Sequence, residues 1–295
     1  MQSRLIRTDG LAQQVLEAGE GPLVLLIHGF PELSLSWRAQ IEALAAAGYR
    51  AVAPDMRGYG GTDNPKGPEN HTILHLVGDM VDLVRALGVD ACVVVGHDWG
   101  APVAWHCALL RPDVFTAVAG LSVPFQPRRP KGPPTAAMAA ITRRAGLGDL
   151  YISRFQAPDA HEALDIDPAT TLRKLFWAYD GATPAEQRST GFLPSGVDLL
   201  DTIDDAATLR APAEGKRGAW MADDGLKAWT DFLLAGVRDG GAIVMIHRAD
   251  RLADLLALLG DKAGSFAIRP IHPFADQPAK RVLVRATKTG KAPLR

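Results

Sequence analysis

The amino-acid sequence predicts an α/β fold: a mostly parallel sheet with helices on both faces, a helical insertion over one sheet edge, and an atypical C-terminal segment. Three observations carry this. Short apolar runs rich in β-branched residues alternate with amphipathic stretches of 3.6-residue period between about residues 20 and 123, the pattern of strands buried on both faces and joined by crossover helices. Five prolines in residues 124–135 then stop that alternation, and irregular helical sequence follows to about residue 210. Finally, one apolar run ends in GHDWGA (96–101), where a strand turns at once into a helix.

Residues 4–18 alternate in short stretches, and LVLLIHG (23–29) is the first continuous buried strand. A helix is expected at about 36–48, a second buried strand at 50–56 and an amphipathic helix over 73–87. Residues 91–96 form a third strand, 99–111 a helix ended by Pro112, and FTAVAGLSV (115–123) a fourth strand. This core is taken as residues 1–124, and 125–210 as a helical lid over the carboxyl ends of the strands, where ligands bind in such sheets. After a polar linker at 211–218, the segment 211–295 reads as helix 223–235, strand 242–247, helix 250–259, and strands 265–272 and 279–287; it has the option of completing the core sheet.

Composition narrows the partners. With 47% hydrophobic residues over 295 positions the chain can bury a large core, and with a net charge of −1 and scattered basic residues no face for nucleic acid or anionic membrane is expected. The partner is expected to be a small molecule; a homodimer is open to it. The N-terminus MQSRLIRTDG lacks an apolar signal segment, and Cys92 and Cys107 read as buried free thiols, so a reducing cytoplasm is the expected compartment and neither metal nor cofactor is expected.

The stretch G-x-D-x-G between a buried strand and a helix has the form of a nucleophile elbow, with Asp98 where serine is usual. Small residues at Gly96 and Gly100 let strand and helix approach, and the helix N-terminus keeps a carboxylate ionised and able to attack. Asp98 is equally suited to serve only as a helix N-cap. HGFPE (28–32) follows the earlier strand at the same edge. Gly29 and Pro31 shape a loop from which the Phe30 N–H points across toward the Trp99 N–H, a two-donor oxyanion hole, or else a turn that only ends a strand.

HGFPE with SW at 36–37, PDMRGYGGTD (54–63) and GHDWGAPVAW (96–105), in that order, resemble the α/β-hydrolase fold and, within it, the soluble epoxide hydrolases, over about residues 5–205. The resemblance implies that Asp98 opens an epoxide to an ester intermediate whose hydrolysis, helped by the Phe30 and Trp99 amides, releases a vicinal diol. It places Tyr151, in DLYISRFQAPDAHEAL (149–164), as proton donor to the epoxide oxygen in the first lid helix, and His28, Pro31, Trp37 and Phe155 around the substrate pocket. An apolar epoxide and water are then the reactants. A haloalkane dehalogenase shares the aspartate elbow, but Tyr151 favours the epoxide; a ligand-binding protein that alkylates once and stops is the other reading.

The family's second lid tyrosine, its later acid and its C-terminal GHW-like histidine are missing. Residues 219–290, through IHRADRL and PAKRVLVRA, are instead similar to the end of tRNA adenine-N6 methyltransferases, without their glycine-rich cofactor loop or NPPY-type site. Within this segment Asp250 and His272 each follow a predicted strand, and the order Asp98, Asp250, His272 is that of nucleophile, acid and base. His247 competes as the base.

Overall fold

A computed structural model describes residues 1–125, 140, 142, 144, 146, 148–179, 192–193, 197, 199–203, 225–272 and 277–290. The proline-rich stretch beyond residue 125 and the linker 211–218 lie outside them. The chain divides into two compact units, Met1–Gly218 and Ala219–Arg295.

The first unit is built on a six-stranded sheet of order β1-β2-β4-β3-β5-β6. Its strands are β1 (Gln2–Arg7), β2 (Ala12–Ala18), β3 (Leu23–Ile27), β4 (Arg50–Pro54), β5 (Cys92–His97) and β6 (Phe115–Leu121). The alternating N-terminal stretches form the antiparallel pair β1–β2, and β2 runs antiparallel to β4. β4, β3, β5 and β6 are mutually parallel, as continuous apolar runs require. All five residues of β3, LVLLI, are buried, each contributing roughly 1.5–3 kcal/mol relative to exposure.

Helices α1 (Arg38–Ala46), α2 (Ile73–Ala86) and α3 (Gly100–Leu110) connect these strands. Thr72 caps α2 by accepting from the His75 N–H, and the helix buries Val77, Met80, Val81, Leu83 and Val84 in a cluster with β3 and β5 side chains. The core also encloses an ion pair, Arg57 with Asp79 at 2.5 Å, both side chains below a tenth exposed. Beyond residue 140, β7 (Asp149–Leu150) pairs with β8 (Phe192–Leu193). The expected single lid helix is instead two short ones, α4 (Tyr151–Arg154) and α5 (Ala160–Asp165), followed by α6 (Pro168–Tyr179). The interruption falls at Ala157-Pro158, because proline lacks the N–H to continue a helix and pushes the preceding residue out of helical backbone.

The second unit contains α7 (Gly225–Gly236), β9 (Ala242–Arg248), α8 (Leu252–Gly260), β10 (Ala263–Ile271) and β11 (Arg281–Lys288). Every predicted element is present, but they do not supply parallel strands to complete the core sheet. β11 lies between β9 and β10, antiparallel to both, in a three-stranded sheet of its own. Leu226, Leu234, Ile243, Leu255, Leu259, Val282 and Val284 form a separate core. Ile243 is buried while its neighbours Val244 and Ile246 are half exposed, so β9 is covered on one face only. Among the described residues no helix is long and apolar enough to cross a membrane.

Candidate active site

Asp98 stands between the end of β5 and the start of α3 with φ = 50°, in the left-handed region that a non-glycine residue rarely occupies. Its N–H donates to the Leu121 carbonyl of β6 at 3.1 Å, and its own carbonyl accepts the first α3 bond, from the Ala101 N–H at 3.0 Å. The flanking glycines are required by contact. A Cβ on Gly96 would lie 2.1 Å from the Gly100 carbonyl oxygen, and one on Gly100 would lie 2.3 Å from that of Ile27. Strand and helix therefore cross at backbone contact, and the aspartate side chain is lifted out of the sheet edge into a half-buried position. An N-cap alone needs none of this: no side-chain cap bond is made at the start of α3.

The carboxylate meets the β3 loop. Its Oδ1 accepts from the Phe30 N–H at 3.0 Å, and Gly29 passes so near that a Cβ there would be 2.5 Å from the Asp98 Cβ. The turn Gly29–Glu32 is closed by the Glu32 N–H donating to the Gly29 carbonyl, with a cis Phe30–Pro31 peptide inside it. Pro31 is partly exposed on this loop. The Glu32 carboxylate turns back, its Oε2 3.4 Å from the Gly29 N–H and 3.1 Å from His97 Nδ1. Trp99, by contrast, leaves its indole exposed.

Two residues expected around the pocket serve the scaffold instead. His28 is fully buried, with Nδ1 on the Gly29 carbonyl at 2.8 Å and Nε2 accepting from the Met56 N–H at 2.9 Å. It ties the ends of β3 and β4 together, and burial lowers its pKa, keeping the ring neutral. Trp37, 5% exposed, packs with Val24, Leu26, Ile41, Ala51 and Ala53, its ring edge-on to His97. Phe155 does meet the β3 loop: it lies 5.5 Å from Phe30, ring to ring, and 5.4 Å from Tyr151, so α4 sits on the Gly29–Glu32 turn. Tyr151, Phe155 and Phe30 pack on the cluster Leu175, Leu193, Leu199 and Ile203.

Two residues here escaped the sequence reasoning. Glu32 belongs to the quoted HGFPE run, but its bond to His97 requires the fold. Tyr59, in the PDMRGYGG run, stacks edge-on to His28 at 4.9 Å; burial and then the Asp98 charge push its hydroxyl pKa up.

Asp250 and His272 do not form the expected acid–histidine pair. They follow β9 and β10, between which β11 intervenes, and each has a different partner. Asp250 is paired with Arg248, which lowers its pKa, on an exposed turn. The His272 Nδ1 is 2.7 Å from the Gln277 carbonyl, also exposed. His247 is partly buried in β9, and burial lowers its pKa.

Comparison with known proteins agrees with this geometry. Residues 22–193 match the alpha/beta hydrolase fold family. The chain is 38% identical over 277 residues to an epoxide hydrolase of Caballeronia sordidicola, covering 80% of this chain and 82% of that one. It is 43% identical over 189 residues to epoxide hydrolase 3 of Siraitia grosvenorii, covering 63% and 58%. Among solved structures, an epoxide hydrolase from an endophytic Streptomyces is 41% identical, with a TM-score of 0.64 over 77% of this chain and 66% of that one. Against several such relatives the chain spans only about three fifths of their length. These comparisons give no support to the methyltransferase likeness of residues 219–290. The positive-φ aspartate elbow, the glycines that allow it, and this similarity converge: the chain belongs to the α/β-hydrolase fold family, among the epoxide hydrolases.

Proposed function

We propose that the protein opens epoxides to vicinal diols through an ester on Asp98. The observation that carries this reading is the Asp98 carboxylate itself, raised on a strained turn with one oxygen on the Phe30 amide and the other available. A carboxylate attacks saturated carbon without a base to deprotonate it, so an aspartate in this place suits alkyl–oxygen cleavage, where a serine would suit esters. As the epoxide C–O bond breaks, the leaving alkoxide needs a proton, and we assign its donation to Tyr151, a reading supported by the packing of its ring on Phe155, which in turn packs on Phe30. In the second step water adds to the ester carbonyl, and the Phe30 N–H, which already bonds the Asp98 carboxylate, stabilises the oxyanion together with the Trp99 N–H as the proposed second donor. The substrate class is an apolar epoxide of modest size, in keeping with the aromatic surroundings of Phe30, Tyr151 and Phe155.

The test is diol formation from an aryl epoxide, followed over many equivalents of substrate, with Asp98→Asn as control. Steady diol production that the variant lacks supports the reading. A covalent adduct that forms once and persists supports the alternative, a protein that alkylates and stops, which the lack of the family's usual histidine motif keeps in play.

A further inference from the structure

The C-terminal unit covers its sheet on one side only, and the strands determine what the other side carries. Side chains alternate along a strand, so every second residue belongs to the same face. Ile243, Val282, Val284 and Ala286 turn inward and are buried with leucines of α7 and α8. The residues between them face the other way. The pairing register sets Leu283 between Ile246 and Arg269, and Arg285 beside Val244; in the next row Arg281 stands opposite Arg248. Val244 and Ile246 are half exposed, and all four arginines are exposed. Basic residues that lie scattered in the sequence thus meet on one surface, around an apolar centre.

Nothing within the unit answers this charge. No Asp or Glu occurs in the three strands. Among the described residues the unit's ion pairs engage Lys227, Arg248, Arg251 and Lys288, and none engages Arg269, Arg281 or Arg285. Arg281 lies directly across the strand pair from Arg248, and like charges so placed do not stabilise a sheet. Residues Ala219–Arg295 hold twelve Lys and Arg against eight Asp and Glu, although the chain as a whole is at −1.

We propose that this face docks an acidic amphipathic helix of a partner protein, its apolar stripe on Val244, Ile246 and Leu283 and its carboxylates on Arg269, Arg281 and Arg285. An apolar sheet face is completed by packing another layer of secondary structure on it, as α7 and α8 do on the covered side. Each guanidinium presents a planar fork that binds a carboxylate through two parallel hydrogen bonds. A phosphate chain would answer the arginines but not the apolar centre. Single-stranded nucleic acid is gripped by stacking bases on aromatic rings, and the one phenyl ring in these strands, Phe266, packs against the buried core. An anionic bilayer takes up large apolar side chains that reach into it, whereas Val244 and Ile246 are short side chains on a sheet surface. The proposal is independent of the chemistry at Asp98.

The experiment measures, by fluorescence anisotropy at low ionic strength, the binding of a labelled synthetic helix to the full-length chain. The probe is a peptide of about 18 residues with leucines spaced i, i+3, i+4 and i+7 and glutamates on either side of that stripe. The parent is expected to bind it at least about tenfold more tightly than a peptide of the same composition with the stripe scrambled, and to lose affinity as salt is raised. Arg281→Glu combined with Arg285→Glu is expected to weaken binding at least about tenfold, and Arg238→Glu, between α7 and β9, to leave it unchanged. Arg281→Gln with Arg285→Gln removes the charges without reversing them and is expected to weaken binding by less, so a glutamate variant that unfolds early does not decide the outcome. Equal affinity for the striped and scrambled peptides, or binding that both double variants retain in full, overturns the proposal. So does tighter binding to single-stranded RNA or to phosphatidylserine vesicles than to the helix, or a self-association that the arginine variants abolish, since a second copy would then cover the face.

Discussion

Asp98 and Asp250 look alike in sequence, each an aspartate just after an apolar strand, and the two units treat them in opposite ways. In the first unit the aspartate is forced to φ = 50° by a strand and helix that touch at Gly96 and Gly100, and its carboxylate meets a backbone amide from a neighbouring loop. In the second, Asp250 lies on a surface turn beside Arg248, two residues away. One carboxylate is held by the fold against a backbone amide; the other is paired with the nearest cation. A strand followed by Asp is therefore weak evidence, and what gives it force is the glycine spacing, which records how closely two backbones must approach.

The same contrast runs through the ion pairs and yields the largest expected effect. Arg57 and Asp79 are buried, and Arg57 also donates to the Asn70 carbonyl. Arg57→Met strands a buried carboxylate and is expected to cost about 3–5 kcal/mol of stability. Arg248→Ala in the second unit, with both partners in solvent, should leave the unfolding curve unchanged within error. Denaturant titration of the two variants checks both, and equal losses would erase the distinction between the units.

Next come the glycines. Gly100→Ala places a methyl against the Ile27 and His28 carbonyls and is expected to cost about 3 kcal/mol, with loss of epoxide turnover. Gly260→Ala, at the end of α8 with nothing within 4 Å of the added carbon, should lie within about 0.5 kcal/mol of the parent. If Gly100→Ala were as well tolerated, the close crossing behind the elbow would be wrong.

Smaller still is the effect of Tyr151→Phe, which keeps the ring packed on Phe155 and removes only the hydroxyl. Formation of the Asp98 adduct is expected to slow by about 100-fold, with stability nearly unchanged; an unchanged rate would remove Tyr151 from the reaction.

The smallest effect is a pH dependence. Burial depresses the His28 pKa below its ordinary 6.5, so the unfolded chain binds the proton more readily than the folded one. The contribution of neutral His28 is fully present above about 6.5 and is lost as pH falls from there through the folded-state value. Thermal unfolding between pH 8 and pH 5 should show this loss in the parent and a smaller one in His28→Asn; identical profiles would contradict the buried, backbone-bonded ring.

Much of this was legible before the structure. The parallel strands were, because a strand buried on both faces must be continuously apolar, as LVLLI and AVAP are. The elbow was, because its glycines carry a steric requirement in their spacing. What resisted reading depended on which side chains meet in space. The motif HGFPE includes Glu32, yet nothing local says that its carboxylate turns toward His97, 65 residues on. The expected Asp250 and His272 pair is the same case in reverse: chain order allows it, but β11 lies between their strands and each side chain bonds a neighbour of its own, Arg248 and Gln277. The resemblance places His28 and Trp37 around the pocket, whereas burial makes them part of the scaffold beneath it. The lid helix was expected whole because a resemblance transfers an element without its local breaks, and Pro158 supplies one.

The central claim is that Asp98 becomes covalently esterified by an epoxide. The direct measurement is intact-protein mass after brief exposure to an aryl epoxide, with peptide mapping of the product and Asp98→Asn in parallel. The account predicts a transient gain of one epoxide mass on the peptide containing Asp98, none on that containing Asp250, and none in the variant. An adduct that survives Asp98→Asn, or diol formed in a variant lacking this carboxylate, would contradict it.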